Sequence, residues 1–194
     1  GLGDVYKRQQ YPQVTVDIHI SNRNIDFVAE GYDLAIRVRA QPDSSLIARL
    51  LEDAELVVVA APAYLQRAGT PQTLDDLPLH ECIQFELPSN GRRIPWLFQL
   101  QGQEQEFAGE AGYSIAHDVL GGVTLAKHGA GLFQTYKFIV ERELADGSLV
   151  EVLKPFGGRS RPFTLLYPHG RYVPHRVRAF VDFLLACRDE WGTL

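Results

Sequence analysis

Two clusters in the 194-residue chain hold the side chains best suited to chemistry, and each fails a geometric test for the obvious reaction. His117-Asp118 and His128 offer two imidazoles and a carboxylate. On a helix, a spacing of 128 − 117 = 11 residues returns to nearly the same face. It also climbs about 16 Å, too far for two ligands each about 2 Å from one zinc. His80-Glu81-Cys82 is the second cluster, but strand neighbours point to opposite faces, so these residues could share a metal only across a turn. No metal site is expected.

Nucleophile and phosphate motifs fare no better. Gly112-Tyr113-Ser114-Ile115-Ala116 comes nearest to a G-x-S-x-G elbow and lacks the second glycine, so no nucleophile, base and orienting group assemble. Gly129-Ala130-Gly131 leads into an apolar strand-like run, the wrong context for a phosphate cradle, and no Walker-type sequence occurs. The expectation is a protein that is not an enzyme and carries no cofactor.

Composition narrows the class. The chain is 45% hydrophobic and 22% charged, enough for a sizeable core. A net charge of −5 gives no basic field for nucleic acid phosphates, so DNA binding by these residues themselves is not expected. Cys82 and Cys187 have no C-x-x-C spacing and read as small buried apolar residues in a reducing compartment. No apolar run approaches the roughly 20 residues of a spanning helix, and a cytoplasmic location is expected. With no Met and a start that leads into no periodic element, the chain reads as truncated, and residues 1–10 as a segment foreign to the fold.

The elements that position these residues follow from periodicity. Val14, Val16, Ile18 and Ile20 alternate as a strand with one buried face, and Ser21, Asn22 and Asn24 can cap a short helix carrying Ile25, Val28 and Ala29. Leu34–Ile36, Leu46–Leu51 and Leu56–Ala60 are short apolar runs, the last rich in branched residues as in interior strands of a mostly parallel sheet. Pro62 opens a helix that Gly69-Thr70-Pro71 ends. Strands are expected at Cys82–Phe85, Trp96–Leu100, Glu106–Ala108, Leu132–Phe133, Leu149–Leu153 and Thr164–Tyr167. Helices are expected from Asp118 to about His128, through Phe138-Ile139 to Gly147, and after Pro174, where Val177, Phe180, Val181 and Leu184 form a stripe. The paired arginines Arg92-Arg93 and Arg159 to Arg161 read as solvated turns.

The order of these segments carries a resemblance. Asp26-Phe27-Val28-Ala29-Glu30-Gly31-Tyr32-Asp33-Leu34-Ala35-Ile36-Arg37 resembles the effector-binding domain of LysR-type transcriptional regulators. So do Asp43 to Arg49, Ala61-Pro62-Ala63-Tyr64-Leu65, Asp76-Leu77 with His80, Trp96 with Phe98, Gly129–Leu132, Asp146 to Val150, Tyr167-Pro168, Arg171 and Val177 to Leu184. The likeness runs from about Tyr11 to Leu185.

It implies an α/β, two-lobed fold like periplasmic binding proteins, with mixed, mostly parallel sheets and two crossover strands. The crossings are expected near Val59–Pro62 and Leu166–Pro168, giving one lobe from 11–59 with 168–194 and a second from 60–167. The family's winged helix-turn-helix DNA-binding domain is absent from these residues. The implied partners are a small-molecule effector, often an anion or aromatic acid, DNA through that other domain, and a homodimer or homotetramer. A free-standing solute-binding protein of the same fold is the alternative. Free N–H groups at helix starts and strand ends suit a carboxylate. The candidate effector contacts are Asn22, Arg39, Ser44 and Ser45 in the first lobe and His117, Asp118, Gln134 and Thr135 in the second. Arg39, where many relatives carry glycine, favours an anion. Gly121-Gly122 inside a helix costs about 1 kcal/mol per glycine, which points to close packing there.

Overall fold

A computed structural model describes residues 14–21, 26, 28–38, 46–87, 90–109, 112–169 and 173–191. It divides into two compact units. The first comprises Gly1–Ile20, Asn24–Asp53 and Pro162–Leu194, the second Ser21–Arg23 and Ala54–Arg161. Strand β2 (Leu46–Ala60) runs through the first division and strand β9 (Ser160–Pro168) through the second. The turning points expected from sequence sit at the carboxyl ends of these same strands; the units separate inside them.

In the first unit, β1 (Ala35–Val38) pairs antiparallel with β9, Ala35 opposite Leu166 and Val38 opposite Phe163. The last helix, here α4 (His175–Trp191), buries Val177, Val181 and Leu184 against Leu51, Leu165 and Tyr167. These are the stripe positions of the sequence, since residues three, four and seven apart share a helix face.

Val14–Ile20 is not a strand. Ile18 and Ile20 are 67% and 91% exposed. Alternation specifies a buried face only when a neighbouring strand supplies the ladder, and no such partner occurs among the described residues. Of the expected helix after Ser21, residues 22–25 and Phe27 lie outside the described residues. Asp26 accepts from the Ala29 N–H at 3.1 Å, and a turn closes at Gly31.

The second unit is built on a mixed sheet. Strand β2 pairs antiparallel with β7 (Leu132–Tyr136) and with β8 (Val150–Val152). Strand β3 (Cys82–Glu86) runs parallel to β7 and to β6 (Tyr113–Ala116). Two runs expected as separate strands, Leu46–Leu51 and Leu56–Ala60, form the single β2. Its apolar end is explained by burial on both faces rather than by parallel neighbours. One face carries Val58, Ala60, Cys82 and Leu132 under Tyr64, Trp96 and Phe98. The other carries Val57, Val59, Ile83 and Phe133 under Val123, Ala126 and Val140.

Helix α1 (Pro62–Ala68) begins at the expected proline, α2 is Val119–Lys127, and α3 (Lys137–Asp146) ends at Gly147, whose φ of 75° is the left-handed conformation glycine adopts cheaply. The hairpin β4 (Trp96–Leu100) and β5 (Gln103–Phe107) completes the unit.

Two expectations about side chains are corrected. Arg161 is buried and donates to the Pro95 carbonyl at 2.8 Å, so it is not part of a solvated turn. Cys187 is only partly buried, whereas Cys82 is 1% exposed.

Candidate effector site

Parallel pairing fixes where the candidate residues of the second unit meet. Cys82 lies opposite Leu132 in β7, and Glu86 opposite Ala116 in β6. The carboxyl ends of β6, β3 and β7 therefore share one edge, and α2 and α3 start there. Loops at strand carboxyl ends facing helix N-termini are where open α/β sheets gather ligand contacts.

His117 is the turn between β6 and α2. Its φ is 70°, and the Asp118 N–H closes on the Ala116 carbonyl at 2.9 Å. This is a three-residue γ-turn with a positive central φ, a rare and strained form for a residue with a Cβ. Strain of this kind concentrates at functional sites. The imidazole is exposed at the apex.

Asp118 caps α2, accepting from the Leu120 N–H at 2.9 Å. Its carboxylate already occupies the positive end of the helix, so a ligand anion arriving there meets a like charge.

The two β7 candidates differ. Gln134 uses both ends of its amide on one backbone unit, Oε1 accepting from the Leu97 N–H and Nε2 donating to the Leu97 carbonyl, each at 2.9 Å. It ties the hairpin to the sheet. Thr135 faces the other way, 2% exposed, and its hydroxyl has no hydrogen-bond partner. Asn22, Arg39, Ser44 and Ser45 lie outside the described residues.

One residue at this edge escaped the sequence reading. Gln84 in β3 is fully buried, and neither Oε1 nor Nε2 has a partner. A lone glutamine in the apolar run Cys82-Ile83-Gln84-Phe85 was the available signal, since buried amides are rarely left unsatisfied. Alternation puts it on the Cys82 face, the side on which Gln134 reaches the hairpin.

The expected close packing at the diglycine holds for Gly122. A Cβ there would meet Ile115 and Phe133, whereas one on Gly121 would have only the Asp118 carboxyl within 4 Å, at 3.7 Å. Gly122 lets α2 lie directly on the sheet beside the strained turn. Among the described residues no cluster of three or more His, Cys, Asp or Glu could hold a metal, and no helix is long and apolar enough to cross a membrane.

Comparison with known proteins decides the family. Residues 7–187 match the model of the LysR substrate binding domain. The chain belongs to that family. The match begins at Lys7, inside the ten residues set apart on sequence. PtxR, an HTH-type transcriptional regulator of Pseudomonas aeruginosa, is 34% identical over 176 residues, covering 91% of this chain and 55% of PtxR. An HTH-type transcriptional regulator of Xanthomonas campestris is 33% identical over 180 residues, 91% of this chain and 52% of its own length. The LysR-type domain thus spans about half the length of these relatives. The regulatory domain of CrgA from Neisseria meningitidis superimposes with a TM-score of 0.83 at 26% identity, covering 94% of this chain and 88% of the CrgA domain. The LysR-type domain is an effector-binding domain with the fold of these regulatory domains.

Proposed function

We propose that this LysR-type domain senses a small anionic or aromatic acid at the shared carboxyl edge of β3, β6 and β7, and so controls a DNA-bound oligomer. His117 and Thr135 contact the ligand, Asp118 and Gln134 shape the site, and Asn22, Arg39, Ser44 and Ser45 supply further contacts. Arg39 supplies a positive charge that favours an anion. The two lobes are 11–59 with 168–194, and 60–167. DNA is reached through a winged helix-turn-helix domain outside this chain, the working protein is a cytoplasmic homodimer or homotetramer, and no catalysis is involved.

The observation that carries this reading is the Thr135 hydroxyl, buried without a partner on β7, two strands from β6, whose end carries the strained His117 turn. Unsatisfied groups and strain persist where function requires them. The names of the relatives favour a regulator over a free-standing solute-binding protein.

The test is a thermal-shift panel of small aliphatic and aromatic carboxylates with neutral analogues of the same shape. At least one acid is expected to raise the melting temperature where its amide does not. Stabilisation by neutral compounds alone would reject the anionic effector.

A further inference from the structure

The junction of α1 with β3, away from the candidate effector site, holds a polar pair at the margin of an apolar layer. Tyr64 on α1 is 2% exposed, and its hydroxyl lies 3.0 Å from His80 Nδ1. The same hydroxyl oxygen accepts the Glu81 N–H at 3.0 Å. A phenol has one proton to give, and here His80 Nδ1 is the acceptor it faces. Giving the phenol proton this acceptor assigns the nitrogen as unprotonated, with the ring proton on Nε2.

Protonating His80 places an N–H on Nδ1 opposite the Tyr64 O–H. The phenol could then only accept, from both Glu81 and His80, and its own proton would lose its acceptor at a buried residue. The bonds join α1, which directly follows β2, to His80 and Glu81, the two residues that lead into β3.

We propose that Tyr64 and His80 form a proton-operated latch, closed while His80 is neutral and opened when His80 takes a proton, that holds α1 onto the head of β3.

The surrounding charges do not cancel this effect. Asp76, from the 3-10 segment Leu74–Leu79, favours a protonated His80, but its carboxylate also accepts the Thr73 and Gln72 N–H groups, each at 2.8 Å. Glu81 and Cys82 lie on the strand side. From α1, the Arg67 guanidinium sits 5.5 Å over the Tyr64 ring and donates to the Gly129 carbonyl at 3.0 Å. His128, beside Gly129, places Nδ1 at 2.9 Å from the Thr124 carbonyl.

Burial outweighs Asp76 and holds His80 below its ordinary value of 6.5. The unfolded chain therefore binds this proton more readily than the folded one. Stability from the latch is complete above about pH 6.5 and is lost as pH falls from there through the folded value.

The experiment compares thermal unfolding of the wild type and His80→Asn from about pH 7.5 to about pH 5.5, the window in which histidine titrates. The asparagine oxygen keeps an acceptor for Tyr64 but cannot titrate. The melting temperature of the wild type is expected to fall more steeply than that of the variant; parallel curves overturn the latch. An NMR titration of His80 in wild type and Tyr64→Phe gives an independent reading. A wild-type midpoint below 6.5 that moves up in Tyr64→Phe is expected. A midpoint at or above 6.5, or one that Tyr64→Phe leaves unmoved, overturns the proposal whatever the melting curves show.

Discussion

Gln134 and Leu97 are joined by two reciprocal hydrogen bonds of 2.9 Å, a side-chain amide standing in for a strand across the gap between sheet and hairpin. Each bond contributes about 1 kcal/mol net, and the Leu97 groups left behind are partly buried. Gln134→Leu should therefore lose about 2 kcal/mol in urea unfolding. An unchanged midpoint would mean that Gln134 does not hold the hairpin.

Gly121 and Gly122 make opposite predictions from adjacent positions. Gly121→Ala adds a Cβ with only an ordinary contact at 3.7 Å and should stabilise α2 by up to about 1 kcal/mol through helix propensity. Gly122→Ala drives a methyl into Ile115 and Phe133, both anchored on the sheet, and should destabilise by about 1–3 kcal/mol. Equal effects in chemical denaturation would contradict the packing.

Cys82 should be chemically silent. Burial pushes its thiol up to about 12, and Sγ lies 3.7 Å from the Leu77 carbonyl. Since the thiolate is the reactive form, iodoacetamide near neutral pH should label Cys82 only after unfolding. Peptide mapping that finds it modified in the folded protein would refute this.

What was legible in the sequence was what repeats. The α4 stripe, the proline start of α1 and the Asp118 cap were read because helix period and capping chemistry act over a few residues. Val14–Ile20 misled because alternation does not say whether a partner strand exists. The fusion of two runs into β2 was hidden by Glu52, Asp53 and Glu55, charged positions that a strand tolerates where one side meets water. At the candidate site, His117 and Asp118 were visible as a helix start. The Gln134 tie to Leu97 was not, because it joins residues distant in sequence, and the Gln84 amide showed only as a lone glutamine in an apolar run.

Thr135→Val tests the central claim most directly, since it removes a buried, unpartnered hydroxyl with little change of shape. Melting temperatures should be taken with and without the carboxylate that stabilises the wild type best. If Thr135 is kept for ligand, the unliganded variant should be more stable by about 1 kcal/mol, as expected when an unsatisfied polar group is lost, and the shift induced by the acid should shrink or vanish. A variant that is less stable, or that keeps the full shift, would contradict an effector site at this edge.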